Sequence, residues 1–258
     1  MQRRRTVIAT GFALLAARVA RAAAPPPTLS PGVLRIGTYF VNPPFEFIEN
    51  GKEVGYEVDL MDEIAERLGL APRYVDTRWE TILREMQAHR YDCIVGGITI
   101  TKARERMLAW SAPYMTTTLS LVVNAAKTPD ITGLAQMKSA TVGVQAATTD
   151  EDVAIAMRKK GEIGGVKIYP FDRIADAMTD LEAGRITAVM KVAPVAAYFA
   201  RRMPGLRIAA QVPDDPQPLG IGFAKNEPVL EAAVNDALAS MRADGTLAKL
   251  AKRWGVPA

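Results

Sequence analysis

The sequence predicts an α/β protein built from two α/β units with a ligand cleft between them. Strand-like and helix-like patterns alternate in two separate stretches of the 258 residues, and a long helical tail follows the last strand pattern. The composition, 49% hydrophobic and 23% charged, is that of a globular chain long enough for two modest domains. The helical tail is too large to belong to a second unit whose sheet is already complete, so we expect the chain to return to the first unit. A ligand cleft would then lie between the two units.

The first unit has the pattern β-α-β-α-β. Strands are predicted at residues 33–37, 73–75 and 92–95, and helices at 56–68 and 79–89. In the first helix, apolar residues recur at helical spacing, and Gly69 is typical of a helix stop. Strands that alternate with helices favour a mainly parallel sheet with both faces covered.

The second unit repeats this alternation after an apolar strand at 119–123. Its predicted strands lie at 140–144, 166–169, 188–190 and 206–209, and its helices at 149–160, 172–183 and 194–202. A strand at 219–223 and two helices at 227–243 and 247–254 complete the chain.

The N-terminus has the features of a bacterial export signal. Three arginines at residues 3–5 precede an apolar run at 7–17, and Ala20-Arg21-Ala22 forms a small-x-small cleavage site. The apolar run is too short for a membrane span. We therefore expect a signal peptide at 1–22, a Pro-rich linker at 23–32 and a periplasmic location. The secretory route needs only a basic start, and the adjacent arginines also fit a twin-arginine signal.

The positive charge of the chain belongs mostly to this segment. The formal net charge is +4, and removal of residues 1–22 with their five arginines changes it to about −1. A basic patch that would attract nucleic acid is therefore not expected.

The sequence favours neither a metal nor a cofactor. Cys93 is the only cysteine and lies in an apolar strand, so it is expected to be a core residue without a disulfide partner. His89 is the only histidine and is expected to be solvated. A glycine-rich phosphate loop is not found in the sequence, so we expect no cofactor.

Arg104 occupies an unfavourable position for its own helix. If Thr101 caps a helix that starts at Lys102, a cation in the first turn opposes the helix dipole by roughly 0.3–1 kcal/mol. A guanidinium offers two parallel donors to a carboxylate, and such charge-assisted bonds are strong. The alternative is a solvated run of charges with Lys102 and Arg106.

Six short motifs occur in a characteristic order. They are LRIGT at 34–38, PPFEF at 43–47, GYEVDL at 55–60, GITIT at 97–101 with Arg104, GVQ at 143–145 with Thr148 and Thr149, and ADGTL at 243–247. Together they resemble the extracytoplasmic solute-binding proteins of the polar amino acid uptake family, the ligand-capturing partners of ABC importers. The resemblance covers about residues 33–254.

The resemblance implies a type II periplasmic binding fold, in which two α/β lobes are joined by two crossover strands and close on a ligand. We expect the crossovers near residues 121–124 and 220–224. Lobe 1 would then comprise residues 33–121 and 220–258, and lobe 2 would comprise 122–219.

The resemblance also implies which residues bind the ligand. Arg104 would fork onto a ligand carboxylate, assisted by Thr99 and the backbone around Gly97. In the second lobe, Thr149 at a helix N-terminus would donate to the same anion with its hydroxyl and amide groups. Thr148 and Thr149 also fit simple helix capping, which is compatible with ligand contact.

One position in the second lobe and one loop in the first lobe depart from the family pattern. Members that bind amino acids usually carry an aspartate for the ligand ammonium where this chain has Val192. In the first-lobe loop before PPF, they commonly carry an acidic residue followed by an aromatic one, whereas this chain has Tyr39 and Asn42. A buried ammonium without a partner costs several kcal/mol. We therefore expect a carboxylate without an α-ammonium, such as an oxo, hydroxy or dicarboxylic acid. Lys191, inside an apolar stretch, would either bind the ligand anion or extend its amine to solvent.

The expected function is that of a monomeric periplasmic binding component that delivers a small carboxylate to a membrane permease. One alternative is an enzyme resembling cyclohexadienyl dehydratase, but Val195 stands where such an enzyme carries its acid, so we expect no catalysis. The other alternative is a sensory binding domain without a transport role.

Overall fold

The computed structural model of the chain describes residues 24–257, so the predicted signal peptide at 1–22 lies outside the described residues. The first part of the chain forms strands and helices of one lobe. In order they are β1 (Val33–Thr38), β2 (Val41–Asn42), β3 (Glu46–Glu49), β4 (Lys52–Val54), α1 (Tyr56–Leu68), β5 (Ala71–Asp76), α2 (Trp79–Gln87), β6 (Cys93–Ile94), α3 (Lys102–Met107) and β7 (Ala109–Trp110).

The rest of the chain builds the second lobe and then returns to the first. The elements are β8 (Met115–Thr117), β9 (Leu119–Asn124), β10 (Thr141–Gln145), α4 (Thr149–Lys159), β11 (Gly165–Tyr169), α5 (Ile174–Glu182), β12 (Ala188–Val192), α6 (Ala193–Arg202), β13 (Leu206–Gln211), β14 (Gln217–Leu219), β15 (Gly222–Phe223), α7 (Pro228–Ala243) and α8 (Thr246–Trp254). Short 3-10 turns lie at Leu134–Met137 and Phe171–Arg173.

Two five-stranded sheets form the centres of the lobes. The lobe 1 sheet has the order β5-β1-β6-β15-β7, and the lobe 2 sheet has the order β11-β10-β12-β9-β13. In each sheet the first three strands are parallel, and the fourth runs antiparallel to its neighbours. The predicted α/β architecture with mainly parallel strands is thus confirmed.

The crossing between the lobes differs from the prediction. Strands β8 and β14 pair antiparallel, with Thr117 opposite Gln217, in a two-stranded sheet of their own. The chain therefore leaves lobe 1 through β8 and returns through β14, a few residues before the predicted segments 121–124 and 220–224. Those segments are apolar because they lie within or around β9 and β15, which are fully buried inner strands of the two sheets.

Helix α1 shows how the local sequence determines an element. Its buried face includes Val58, Met61 and Ile64, and Met61 and Ile64 join the main apolar core. The helix ends at Gly69, whose φ of 67° is readily adopted by glycine, and the N–H of Leu70 donates to the Ala65 carbonyl at 2.9 Å. The predicted glycine stop is confirmed.

The small antiparallel sheet of β2, β3 and β4 is not predicted, because strands of two to four residues are too short to show a period. Within residues 24–257, no helix combines the length and the apolar character that a membrane crossing requires.

Candidate functional site

A cavity lies between the two lobes, where the parallel strands of both sheets have their carboxyl ends. Lobe 1 contributes Tyr39, Asn42, Trp79, Gly96, Gly97, Thr99 and Arg104, and lobe 2 contributes Thr148, Thr149, Asp150, Phe171, Lys191 and Val192. The carboxyl ends of strands in open α/β sheets commonly form ligand sites. All nine residues predicted to bind the ligand line this one cavity, and their contact with a ligand stays a prediction.

Arg104 projects from the short helix α3. The Thr101 hydroxyl accepts the Arg104 N–H at 3.2 Å, which confirms the predicted cap. Arg104 Nη1 donates to the Thr99 carbonyl at 2.8 Å, and the guanidinium carbon lies 4.9 Å from the Trp79 ring centroid. Burial lowers the pKa of the Arg104 guanidinium, although arginine remains charged in proteins.

The charge of Arg104 is available for a ligand. Among residues 24–257, no carboxylate lies within ion-pair distance of its guanidinium. A guanidinium carries five N–H donors, and only one of them is used by the Thr99 carbonyl. The remaining donors can form the fork that a carboxylate requires.

The Gly96-Gly97 loop is held from two sides. The Tyr39 hydroxyl and the Asn42 amide both donate to the Gly96 carbonyl, the latter at 3.3 Å. The N–H of Gly97 donates to both carboxylate oxygens of Glu57, at 2.9 and 3.0 Å. The Gly97 N–H is thus already paired, whereas assistance to a ligand from the backbone around Gly97 stays a prediction. Tyr39 and Asn42 fix the shape of the cavity floor.

Two fully buried glutamates lie behind this loop, and the sequence analysis did not identify them. Glu46 and Glu57 are both 0% exposed, and the Tyr114 hydroxyl also donates to Glu57. Burial, together with the neighbouring Glu57 charge, raises the pKa of Glu46 well above its usual range. Burial raises the pKa of Glu57 as well, but the hydrogen bonds donated by Tyr114 and Gly97 favour its charged form. We infer from these bonds that Glu46 keeps its proton while Glu57 carries the charge. Their immediate neighbours are apolar, Phe45 and Phe47 around Glu46 and Tyr56 and Val58 around Glu57, and this is the signal that could have revealed them.

Thr99 connects the cavity to the crossover. Its hydroxyl donates to Gln217 Oε1 at 3.0 Å, and Gln217 belongs to β14. The carbonyl of Thr99 accepts from Arg104. The hydroxyl proton is thus committed to Gln217. Thr99 also forms an isolated β-bridge with Leu219 of β14, so the residue that orients the arginine is attached to the crossover.

The N-terminus of α4 forms part of the lobe 2 wall. Thr148 is the cap: its hydroxyl accepts the Glu151 N–H at 3.4 Å and donates to the Gln145 carbonyl at 2.7 Å. Thr149 is the first helical residue and is half-buried at the cavity. The first N–H groups of a helix have no partner within the helix and favour an anion. The cap role of Thr148 is confirmed, and Thr149 offers the free amide.

Lys191 has a partner that the sequence did not indicate. Its amine lies 2.5 Å from Asp150 Oδ2, and the two side chains are 5% and 2% exposed. The alternative in which Lys191 extends to solvent is therefore wrong. The anion that accompanies the buried lysine is Asp150, in the first turn of α4, because the fold of lobe 2 brings β12 and this turn together.

An apolar and aromatic wall completes the cavity. Val192, at the end of β12, is 6% exposed, and Trp79 and Phe171 lie nearby in the same lining. The Phe171 ring stacks on Trp79 with centroids 5.1 Å apart and meets the Tyr39 ring edge-on at 4.7 Å. The sequence analysis missed Trp79 and Phe171, because they meet only when the two lobes come together.

A metal centre is not supported by the side chains that the structure describes, since no group of three or more His, Cys, Asp or Glu residues between 24 and 257 is placed to hold an ion. Cys93 is buried as expected, and burial raises the pKa of its thiol.

Known proteins with similar sequences are bacterial binding proteins. The L-cystine-binding protein TcyJ of Escherichia coli K12 is 27% identical over 224 residues, which cover 86% of this chain and 82% of that protein. The histidine-binding periplasmic protein of Salmonella typhimurium is 29% identical over 233 residues, covering 87% of this chain and 88% of that protein.

Solved structures that are similar to this chain are also those of binding proteins. An ancestral arginine-binding protein bound to arginine matches with a TM-score of 0.78 at 32% identity, covering 86% of this chain and 98% of that chain. The ancestral amino acid-binding protein AncCDT-1, described as a precursor of cyclohexadienyl dehydratase, matches with a TM-score of 0.77 at 32% identity, covering 86% of this chain and 95% of that chain.

A family model covers almost the whole described chain. It matches residues 34–257, and its description is bacterial extracellular solute-binding proteins, family 3. The two sheets, the paired crossover strands and the cavity between the lobes agree with this match. The chain therefore belongs to family 3 of the bacterial extracellular solute-binding proteins and has the type II periplasmic binding fold.

Proposed function

We propose that this protein is the periplasmic binding component of an ABC importer and that its ligand is a small monocarboxylate without an α-ammonium group. The observation that carries the proposal is the arrangement of charge in the cavity. Arg104 has no carboxylate partner among the described residues, whereas Lys191 and Asp150 are paired with each other.

Among the described residues that line the cavity, the charged side chains are one free cation, Arg104, and one neutralised pair, Lys191 with Asp150. A ligand with a single carboxylate would balance Arg104 through charge-assisted hydrogen bonds. The ammonium of an amino acid would lie beside Val192 and Asp150, and the carboxylate of Asp150 is already paired with Lys191. Because an unpaired buried charge costs several kcal/mol, a zwitterion is disfavoured and a cationic amino acid more so.

This ligand class differs from those in the names of the relatives. Those proteins are named for cystine, histidine and arginine. The family membership supports solute binding, and the replacement of an acidic partner by Val192 supports a different solute. An oxo or hydroxy acid fits both observations.

The two-lobed architecture supports a binding step coupled to closure. Arg104 belongs to lobe 1 and the N-terminus of α4 to lobe 2, so one carboxylate can bridge them. Strands β8 and β14 are the two connections at which the lobes rotate. The ligand shifts the population toward the closed form, which then docks as a monomer on the permease.

Isothermal titration tests the ligand class. The purified protein, unfolded and refolded to remove any bound solute, is titrated with pyruvate, lactate and glycolate and, in parallel, with arginine, histidine and glutamine. We expect saturable binding of at least one organic acid and weaker binding of every amino acid. Tight binding of a standard amino acid in the Arg104 site would overturn the proposed ligand class.

A dehydratase is the alternative function, because the similar protein AncCDT-1 is described as a precursor of cyclohexadienyl dehydratase. Val195, at the position expected to carry a catalytic acid, is 1% exposed in the lobe 2 core. Of the described residues that line the cavity, Asp150 is the only carboxylate, and it is paired with Lys191. Incubation with prephenate or arogenate should therefore give no product absorbance, and turnover that depends on Arg104 would contradict this expectation.

A further inference from the structure

Phe171 is a lobe 2 residue whose ring belongs to the lobe 1 core. It follows β11 in the short 3-10 turn Phe171–Arg173, yet it is 5% exposed within an apolar cluster of lobe 1 side chains. Tyr39 and Trp79 of that cluster form its two aromatic neighbours. The ring therefore crosses the cleft and fills space at the cavity wall.

The position of this ring is next to the carboxylate site. Trp79 contacts both the Phe171 ring, at a centroid distance of 5.1 Å, and the Arg104 guanidinium, at 4.9 Å. A carboxylate held by Arg104 would consequently direct the rest of its molecule into a cleft whose wall is already occupied by Phe171.

The backbone of Phe171 is connected by hydrogen bonds to the turn that precedes α4. Gln145 donates its side-chain amide to the Phe171 carbonyl, and the Gln145 carbonyl accepts from the Thr148 hydroxyl at 2.7 Å. These bonds connect the ring to the loop that presents Thr148 and Thr149. Phe171 is thus placed by the same segment that forms the lobe 2 side of the site.

The remaining space is small. The cavity has a volume of about 30 Å³, whereas pockets for drug-sized ligands have about 300–1,000 Å³. A ligand that fits beside Phe171 must therefore be short.

We propose that Phe171 occupies the part of the cleft that would otherwise hold a ligand side chain, and that it restricts the ligand to short monocarboxylates. This inference rests on the proposed function and adds the size of the ligand to its charge. Acids of the size of glycolate, pyruvate and lactate fit, whereas acids with a long or aromatic tail would have to displace the ring.

A chain-length series tests the proposal. Glycolate, lactate, 2-hydroxyhexanoate and 3-phenyllactate are titrated into the wild-type protein and into Phe171→Ala. We expect the wild type to bind the two long acids at least about 10-fold more weakly than lactate. Phe171→Ala should reverse this preference and gain at least about 10-fold for 3-phenyllactate, because an apolar cavity left by a removed ring accepts an aromatic group.

Phe199→Ala is the matched control. Phe199 is a half-buried aromatic residue of lobe 2 that does not line the cavity. This variant should keep the wild-type order of affinities. Phe171→Leu retains an apolar contact and should give an intermediate preference, so it provides the test if Phe171→Ala does not fold.

The outcomes separate the size restriction from the proposed function. If the wild type binds short and long acids equally, or if both Phe171 variants keep the wild-type preference, the size restriction is wrong while monocarboxylate binding stands. If the wild type and both variants bind none of the acids, the proposed function itself fails, and the size restriction falls with it.

Discussion

The amine of Lys191 and the carboxylate of Asp150 form an ion pair at 2.5 Å that is almost completely withdrawn from solvent. The pair joins β12 to the first turn of α4 and lies in the wall of the ligand cavity. Neither charge is free, and removal of one partner would leave the other buried and unpaired.

We predict that Lys191→Met destabilises the protein by about 3–5 kcal/mol, which is the usual cost of breaking a buried pair. Replacement of both partners, Lys191→Met with Asp150→Leu, should recover most of this loss because no lone charge remains. Urea unfolding followed by circular dichroism measures both variants.

Lys167 provides the matched control. It lies 2.5 Å from Asp180, the same distance, but its side chain is 47% exposed. Because exposed pairs contribute about 0–1 kcal/mol, Lys167→Met should have a small effect. Equal losses for the two lysine variants would contradict the role of burial.

Arg104→Ala should weaken binding of the carboxylate by about 100-fold or more, since two charge-assisted hydrogen bonds are lost. The melting temperature of the ligand-free variant should stay within a few degrees of the wild type, because the Arg104 side chain makes one hydrogen bond and one aromatic contact among the described residues. Arg106→Ala, an exposed residue of the same helix, should bind normally. Wild-type affinity in Arg104→Ala would refute the assignment.

The buried Glu46 predicts a dependence of stability on pH. Its usual pKa is 4.5, and burial with the Glu57 charge raises the pKa in the folded protein. Between pH 4.5 and the raised value, the folded state holds a proton that the unfolded state has lost, so this group lowers the free energy of unfolding as the pH rises.

Glu46→Gln, which resembles the protonated acid, should remove this contribution and be more stable than the wild type at pH 8. Urea unfolding at pH 5 and pH 8 measures the difference. Glu53→Gln, an exposed residue of β4, should retain the wild-type slope. The same slope in Glu46→Gln and in the wild type would show that Glu46 titrates normally.

Gly55 before α1 is predicted to tolerate no side chain. Its φ is 144°, and an added Cβ would lie 2.0 Å from the Phe45 carbonyl oxygen. Gly55→Ala should cost about 3 kcal/mol or more. Gly51→Ala also has a positive φ, of 73°, but open space around its Cβ, so about 1–2 kcal/mol is expected. Thermal unfolding compares the two, and similar losses would mean that the clash is relieved.

Local patterns were sufficient for much of the fold, whereas most of the polar residues of the cavity were named through the resemblance to the solute-binding family. Helix α1 is recognisable from its apolar spacing and its glycine stop, and the Thr101 and Thr148 caps from residues that favour helix starts. Arg104 stands out because a cation in the first turn has no benefit for its own helix.

Pairings between distant segments were not accessible in this way. Asp150 meets Lys191, and Phe171 meets Trp79, only through the packing of elements that are far apart in sequence. A periodic pattern reports which face of an element is buried, and it contains no information on the side chain that lies opposite. The partner of Lys191 and the filled wall of the cleft therefore required the structure.

Strand β15 lies between β6 and β7, although it is separated from both by the whole of lobe 2. The five strands of the lobe 2 sheet, by contrast, come from one uninterrupted stretch between Leu119 and Gln211. Since contacts between distant segments form more slowly than local ones, the inserted lobe can assemble first, whereas the lobe that holds Arg104 stays incomplete until the last strand arrives. The proposed carboxylate site would therefore be completed only at the end of folding, after residue 223 has joined the sheet.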